Sequence, residues 1–436
     1  MSERTKSLRR FIFPAIGGLF VTYLYNVVDG IFVGQGVGAA ALGAVNIGVP
    51  FITFVVAIVA MFPMGGATVV AIRMGRGDRE GANHAFMTSF TLTALLSAVL
   101  MMVGMVFSQQ IVDVSGAYKL SDTMRKMAAD YLFYYSAFSI PMLMSTCLSV
   151  FVRNDGSPTL SFMGMCVGAA ANIFLDWLFI FPLGMGVVGA AVASGLGQVS
   201  SVIVLLTHFI RKKGDLRIKP VKIDTTLIKK ICKRGVPEAI SQLTTPVTAL
   251  CYNLMLASLI GDIGVSTFSV LSFIYSLANA ILSGVAQGLQ PLWGNCYGKR
   301  NTSEMNWFLR CGITINMILS VAIYGILFIC DEPIIRIFNK DNDLVQTAAA
   351  ALPMFSLSFM PMALNLIYTA FMFSTKRTTQ ANAIAICRGI VIKAAAIFCI
   401  PILFDSSAIW IAPFIAELFT LVLSFVLSKQ TKLIYI

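Results

Sequence analysis

Long apolar runs broken by short polar turns set the rhythm of this chain. Twelve runs are long enough to cross a bilayer, for which about 20 residues suffice. They fall at roughly 11–33, 43–72, 85–108, 128–152, 159–181, 187–210, 231–259, 263–292, 306–330, 345–373, 379–403 and 407–428, numbered below as spans 1 to 12. The pattern predicts an all-α polytopic membrane protein. The first run follows the basic start MSERTKSLRR, and no A-x-A site closes it. It reads as an uncleaved first helix rather than a signal peptide.

The polar turns divide by charge. One side of the membrane receives 25 of the 32 Lys and Arg residues, ten of them in RKKGDLRIKPVKIDTTLIKKICKR between spans 6 and 7. The other side receives five: Lys119, Arg125, Lys126, Arg336 and Lys340. Basic loops stay in the cytoplasm, so both termini are predicted there. The remaining two, Arg388 and Lys393, lie inside span 11.

The two halves repeat. At a shift of 223, Pro14 meets Pro237, Gly38 meets Gly261 and Gly75 meets Gly298. RMGRGDREGA (73–82) then coincides with CYGKRNTSEM (296–305) as the basic turn after the second span of each half. At a shift of 220, Pro141 meets Pro361, Phe151 meets Phe371 and Thr159 meets Thr379. Six spans per half is an even number, so both halves face the same way. Parallel repeats of this kind are related by an axis along the membrane normal, with a cavity between them. The predicted organisation is an N-terminal lobe, 1–210, a basic cytoplasmic linker, 211–230, and a C-terminal lobe, 231–436. Such duplication is frequent in transporters and uncommon in membrane enzymes.

Composition narrows the class. Of 436 residues, 57% are hydrophobic and 12% charged, against about 45–50% and about 25% in soluble domains. A net charge of +12 would suggest nucleic acid in a soluble protein; here the cations sit between the spans and report topology instead. Nine cysteines form no CxxC and read as apolar thiols, several of them inside spans (Cys147, Cys166, Cys251, Cys399). The histidines, His84 and His208, are far apart, so no Cys/His metal cluster is expected. GNCYGKR lacks the spacing and the Ser/Thr of a P-loop, and HExxH and G-x-S-x-G are absent. No cofactor is expected and no enzyme is indicated. Energy for transport must come from an ion gradient or a separate subunit.

Polar residues inside the spans carry the candidate chemistry. Asp29 lies 18 residues into span 1 and Asp176 lies 17 into span 5. Both spans run outward, so at about 1.5 Å per residue the two acids reach one depth. Asn172, four residues before Asp176, shares its face, and Asn26 precedes Asp29 by three. Ser194 lies about eight residues into the returning span 6. Carboxylates, amides and a hydroxyl converging there would suit a small hard cation such as Na⁺. Paired carboxylates out of water can instead hold a proton. The competing reading is that each acid caps or pairs locally. Tyr25 and Thr22 continue the Asp29 face, and Met165 continues the Asp176 face. A wall of Met, aromatic and amide groups suits loosely specified flat ligands, although core packing is the simpler role for any one Met. Arg388 and Glu417 lie at matched depth in spans 11 and 12 and read as a structural ion pair. Lys393, five residues from Arg388, is predicted to face elsewhere, some 140° round the helix. Glu238 follows Pro237 at the predicted start of span 7, where an acid suits a helix N-terminus. Gly164/Gly168 and Gly284/Gly288 permit close helix packing.

These residues resemble the multidrug and toxic compound extrusion family over nearly the whole chain. The stretches that carry the likeness are YNVVDGIFVGQGVGAAALGAVNIGVPF, GSPTLSFMGMCVGAAANIFLDWLFIFPLGMGVVGAAVAS and GVAQGLQPLWGNCYGKRN. The resemblance implies two six-helix lobes about a V-shaped cavity, a multi-pass location in the cytoplasmic membrane, and antiport of hydrophobic organic cations and other drugs against Na⁺ or H⁺. Asp29 and Asp176 match acids of its bacterial DNA-damage-inducible branch, Asn172 matches that branch's cation-site amide, and Ser194 occupies a hydroxyl position that is usually Thr. Pro14 matches a proline at which the first helix can bend. Another branch, the sodium-driven norfloxacin exporters, carries a glutamate within span 7; here that region reads AISQLTTPV, with Thr245 near the place. Coupling is therefore expected in the N-terminal lobe, in a monomer. The first alternative is a flippase for lipid-linked precursors from the same superfamily, which would need a basic cavity. A membrane enzyme or scaffold is a more distant one.

Overall fold

The structure is a computed structural model that describes residues 3–115, 121–222, 224–338 and 341–429. Lys119 and Lys340, counted above on the outer side, lie outside those residues. The described residues form helices α1 (Glu3–Gly36), α2 (Ala39–Gly75), α3 (Arg79–Val106), α4 (Ser108–Val114), α5 (Asp122–Ala137), α6 (Ser139–Asn154), α7 (Pro158–Ile180), α8 (Gly186–Ile210) and α9 (Thr225–Leu259). There follow α10 (Asp262–Lys299), α11 (Thr302–Ile329), α12 (Asp331–Phe338), α13 (Asn342–Ser356), α14 (Phe359–Ser374) and α15 (Thr378–Ile386). A π-helical turn, Cys387–Val391, joins α15 to α16 (Ile392–Leu403), and a 3₁₀ turn, Ser406–Ile411, leads into α17 (Ala412–Lys429). Helix is the economical spanning structure because it satisfies its backbone within one segment.

Every predicted span falls on a helix or a pair of helices. Nine helical stretches are long and apolar enough to cross a membrane, and two bent pairs raise the described total to eleven. Span 7 lies in α9, whose 35 residues are long enough. Gln242, Thr244, Thr245, Thr248 and Asn253 make it more polar than the others.

Spans 4 and 10 are each a bent pair of helices. α5 and α6 meet at 50°, α13 and α14 at 42°. Each second helix carries a proline at its third residue, Pro141 and Pro361. A proline has no N–H to donate back across the break, and its ring crowds the carbonyl four residues earlier. Those prolines coincide at the 220 shift, so the repeat extends to the breaks themselves.

Backbone conformation repeats too. Gly38 and Gly261 hold φ of 112° and 79° as the residues before α2 and α10. Gly77 (78°) has its counterpart in Arg300 (57°), and Gly156 (82°) in Lys376 (66°). In the second half, therefore, a side chain tolerates a left-handed position that glycine fills in the first.

The chain divides into two compact units, Met1–Gln242 and Leu243–Ile436. The division falls inside α9, not in the basic linker, because the linker is stitched to unit 1. The Asp155 carboxylate, at the VRNDGSP turn, accepts from Asp215 N (2.9 Å) and Leu216 N (3.1 Å) and meets His208 Nε2 at 2.8 Å. Arg217 N donates to Asn83 Oδ1 (2.6 Å), and Leu216 is fully buried. The first half of α9 also presses on α2: a Cβ on Gly65 would come within 3.0 Å of the Gly235 backbone nitrogen. Because α9 begins at Thr225, Glu238 lies well inside the helix, not at its N-terminus as expected; it is in electrostatic range of the buried Arg153. Of the thiols, Cys147 and Cys296 are buried, but Cys399 is exposed.

Left-handed backbone costs a side-chain residue roughly 1–2 kcal/mol relative to glycine. Arg300→Gly is therefore expected to stabilise the protein by about 1 kcal/mol, seen as a higher Tm in detergent. Gly77→Val should lower it. An unchanged Tm for Arg300→Gly would count against the assigned turn.

Candidate functional site

In unit 1, α1 and α7 run side by side in the same direction. A Cβ on Gly17 would meet the Phe162 ring at 2.9 Å, one on Gly18 would meet Met165 Sδ at 2.6 Å, and Gly36 abuts Ile180. Partners along this seam differ by about 145 in residue number, and Asp29 and Asp176 keep that register. Their carboxyl groups are close enough to interact electrostatically. Two carboxylates have only acceptors to offer, so no bond forms between them unless one carries a proton.

α8 fixes the third side. A Cβ on Gly197 would stand 2.8 Å from both the Asn172 Cβ and the Gly168 carbonyl oxygen. The two glycines let the α7 and α8 backbones touch, which presses Asn172 against α8. Its Nδ2 donates to Ser194 Oγ at 3.4 Å. Asp176 is fully buried and Asn172 nearly so. Both oxygens of Asp176, Oδ1 of Asp29 and Oδ1 of Asn172 are buried without a hydrogen-bond donor. Four acceptor oxygens with no donor gather in this one region.

The other predicted residues distribute as follows. Phe13, Phe20, Leu24 and Ile31 form an exposed apolar stripe on α1. Asn26 is also exposed but lies two positions from Leu24, about 200° round the helix and so opposite that stripe. Tyr25 accepts a hydrogen bond at its hydroxyl from Gln198 Nε2 (3.4 Å) and is in electrostatic range of both acids. Thr22 spends its hydroxyl on the Gly18 carbonyl (2.9 Å), and Met165 is half-buried on the α1–α7 seam. Pro14 sits inside an unbroken α1.

Three residues at the site escaped sequence reasoning. Gln198 lies four residues after Ser194 on α8, so the face rule that linked Asn172 to Asp176 would have found it. Tyr131 on α5 is within electrostatic range of Asp29, Asp176 and Tyr25, and Tyr135 lies beside it with ring centroids 5.8 Å apart. Tyrosines near the outer end of a span read as interfacial anchors, and nothing in the pattern aimed them inward.

Unit 2 holds a second charged cluster. Arg388 Nε donates to both Glu417 oxygens at 2.9 Å, and Asn365 Nδ2 donates to Glu417 Oε2 at 2.8 Å. Ser424 Oγ in turn holds Asn365 Oδ1 at 3.1 Å. The placing of Lys393 needs correction: its ammonium lies 4.0 Å from Glu417 Oε1. The cause is the π turn at Cys387–Val391. A π turn closes i to i+5, so it carries Lys393 round to the side of Arg388. Gly389 makes room there, since a Cβ would strike Thr244. Gly284 and Gly288 are both buried on α10.

An all-helical bundle of apolar spans with an acid buried in each half defines a polytopic membrane protein rather than a soluble module. The family model described as MatE matches residues 14–178 and 237–399. The chain therefore belongs to the MatE family, and it is a multi-pass protein of the cell membrane. The two matches start 223 residues apart, at the prolines that set the internal shift. The chain is similar to "Multidrug export protein MepA" of Staphylococcus aureus (strain bovine RF122 / ET3-1), at 22% identity over 409 residues, 93% of this chain and 88% of the relative. The Staphylococcus haemolyticus (strain JCSC1435) protein of the same name is 23% identical over 401 residues, 92% and 86%. Among solved structures, the "Outward-facing conformation of a multidrug resistance MATE family transporter of the MOP superfamily" aligns with TM-score 0.92 at 21% identity, covering 98% of this chain and 96% of that one. A Pyrococcus furiosus structure titled "Reverse polarity of binding pocket suggests different function of a MOP superfamily transporter" aligns at 0.91 and 22%, with the same coverage. These likenesses fix the fold.

The α7–α8 contact is open to test. Gly197→Val is expected to wedge the helices apart at a cost of about 1–3 kcal/mol, seen as a lower Tm. Gly325→Val, where a Cβ meets nothing within 4 Å, should change it far less.

Proposed function

We propose that this protein is a secondary active multidrug exporter in which a monovalent cation, Na⁺ or H⁺, binds at Asp29, Asp176, Asn172 and Ser194 and displaces the drug. The observation that carries this reading is the set of four buried acceptor oxygens without donors at Asp29, Asn172 and Asp176. An acceptor buried without a donor costs about 1–3 kcal/mol, more when charged. A bound cation or a proton removes that cost at every oxygen it touches. Ser194 orients the Asn172 amide so that its Oδ1 is left for the ion.

The drug would lie against the interior face of α1, beside Thr22, Tyr25 and Asn26, with Met165 able to adapt from the seam. Hydrophobic organic cations would be drawn to the same carboxylates as the coupling ion, and this shared demand is what makes exchange obligatory. Pro14 leaves the α1 ladder one hydrogen bond short, so the helix can bend there as the site fills and empties. The duplicated halves suit alternating access by a monomer. One charge crossing about 150 mV supplies about 3.5 kcal/mol, or a several-hundredfold drug gradient. No catalytic step is part of the cycle.

The alternative, a flippase for lipid-linked precursors, draws on one observation, the partly buried Arg388 and the buried Lys393 inside a span of unit 2. The relatives named for multidrug export favour the first reading.

The test is ethidium efflux from proteoliposomes with sodium and proton gradients imposed separately. One gradient is expected to drive efflux, and Asp29→Asn or Asp176→Asn should abolish that drive. Undiminished efflux in both variants would sink the proposal.

A further inference from the structure

The basic linker carries charge that the fold leaves unanswered. Residues 211–234, the linker and the first turns of α9, hold ten basic residues and two acids, Asp215 and Asp224. Both acids are occupied elsewhere: Asp215 pairs with Arg79 at 3.4 Å, and Asp224 Oδ1 accepts from Thr226 N at 2.8 Å. Arg211, Lys212, Lys213, Lys219 and Lys222 stand exposed, as do three lysines on the first turns of α9. Among the described residues no carboxylate lies within 4.0 Å of any of these side chains.

On a free segment such charges would spread apart. Here the backbone is fixed under them. Asp155 takes Asp215 N and Leu216 N, Asn83 takes Arg217 N, and His84 Nε2 meets the Lys222 carbonyl at 2.8 Å. Arg217 turns its guanidinium back onto the Gly214 and Leu216 carbonyls. Sequence neighbours such as Lys212 and Lys213 stand within a Debye length, about 8 Å at physiological salt, so their repulsion is felt. An anion bridging them relieves it and meets a backbone already ordered by folding. The position points to lipid. Ile203 and Ile210, two turns apart on one face of α8, are 61% and 75% exposed, so that face meets the bilayer. Arg211 to Lys213 follow at once, at the cytoplasmic end of the span. Exposed Ile218, just before Lys219, adds an apolar contact for the headgroup boundary. RKKGDLRIKPVK holds no aromatic residue on which a nucleic-acid base could stack.

We propose that residues 211–222 form a docking strap for anionic phospholipids of the cytoplasmic leaflet, with headgroup phosphates bridging Arg211, Lys212, Lys213 and Lys219. The lysine stems lie along the interface and carry their ammonium groups to the phosphates. Bound lipid offsets the repulsion within the strap and ties the end of α8 to the membrane surface. Asp155, Asn83 and His84 thereby gain a role, since they hold the strap in the shape the lipid meets. The docking needs only the membrane location and the ordered linker, so a failure of ion-driven efflux leaves it standing.

The test is the Tm of the full-length protein in maltoside micelles, titrated with phosphatidylglycerol or with phosphatidylcholine of the same chains. Phosphatidylglycerol is expected to raise Tm saturably, and phosphatidylcholine to raise it far less. The triple variant Lys212→Gln/Lys213→Gln/Lys219→Gln should match the unaltered protein without lipid, because these side chains are exposed. It should need roughly tenfold more phosphatidylglycerol, or better, for half the rise, since each lysine near an anionic surface contributes about a factor of five. Arg4→Gln/Lys6→Gln/Arg9→Gln removes the same charge from exposed cations spread round α1 and should change the titration little. Equal weakening by the two triples would reduce the effect to net charge and overturn the strap. So would the absence of a rise with phosphatidylglycerol. An equal rise with inorganic phosphate, or with polyglutamate, would give the cations to a free anion or an acidic protein and overturn the lipid assignment.

Discussion

In the membrane interior a polar group must find its partner inside the protein or from what passes through it, and unit 1 is organised around that demand. The close contact of α7 and α8 at Gly168 and Gly197 brings Asn172 to Ser194. The parallel seam of α1 and α7 at Gly18 and Gly36 brings Asp29 level with Asp176. Neither approach survives a larger residue at the crossing. Small residues thus decide where the charged ones stand, and the charged ones are left short of donors. A fully satisfied network would be more stable, and it would have nothing to exchange.

The two units answer the same constraint with opposite charge. Unit 1 holds two carboxylates, three of whose four oxygens are buried without donors. Unit 2 sets two cations against one buried carboxylate, with Asn365 and Ser424 bracing it. The duplication supplied equivalent scaffolds, visible in the matched breaks before Pro141 and Pro361 and in the matched left-handed positions. The chemistry placed on them diverged.

Much of this was legible in the sequence, for definite reasons. Span-length apolar runs specify transmembrane helices directly, and the charge of the turns orients them. Counting residues along two outward-running helices was enough to put Asp29 and Asp176 at one level. What resisted was anything set by local departure from ideal helix. The π turn reverses the expectation for Lys393, because 100° per residue fails there. The breaks in spans 4 and 10 were signalled by Pro141 and Pro361, yet apolar content alone runs straight across them. Glu238 was misplaced because α9 starts early, at Thr225, in a stretch of lysines that reads as loop. The packing of the linker on Asp155 and Asn83 depends on tertiary partners that no local pattern reveals.

Coupling ion and drug compete for the buried acid pair: that is the central claim. The most direct measurement is ethidium affinity of the purified protein at fixed ionic strength, taken across pH with and without sodium. Either sodium or protons should weaken ethidium binding competitively, and Asp29→Asn/Asp176→Asn should remove the dependence. An affinity indifferent to both cations, or a dependence that persists in the double variant, would contradict the claim.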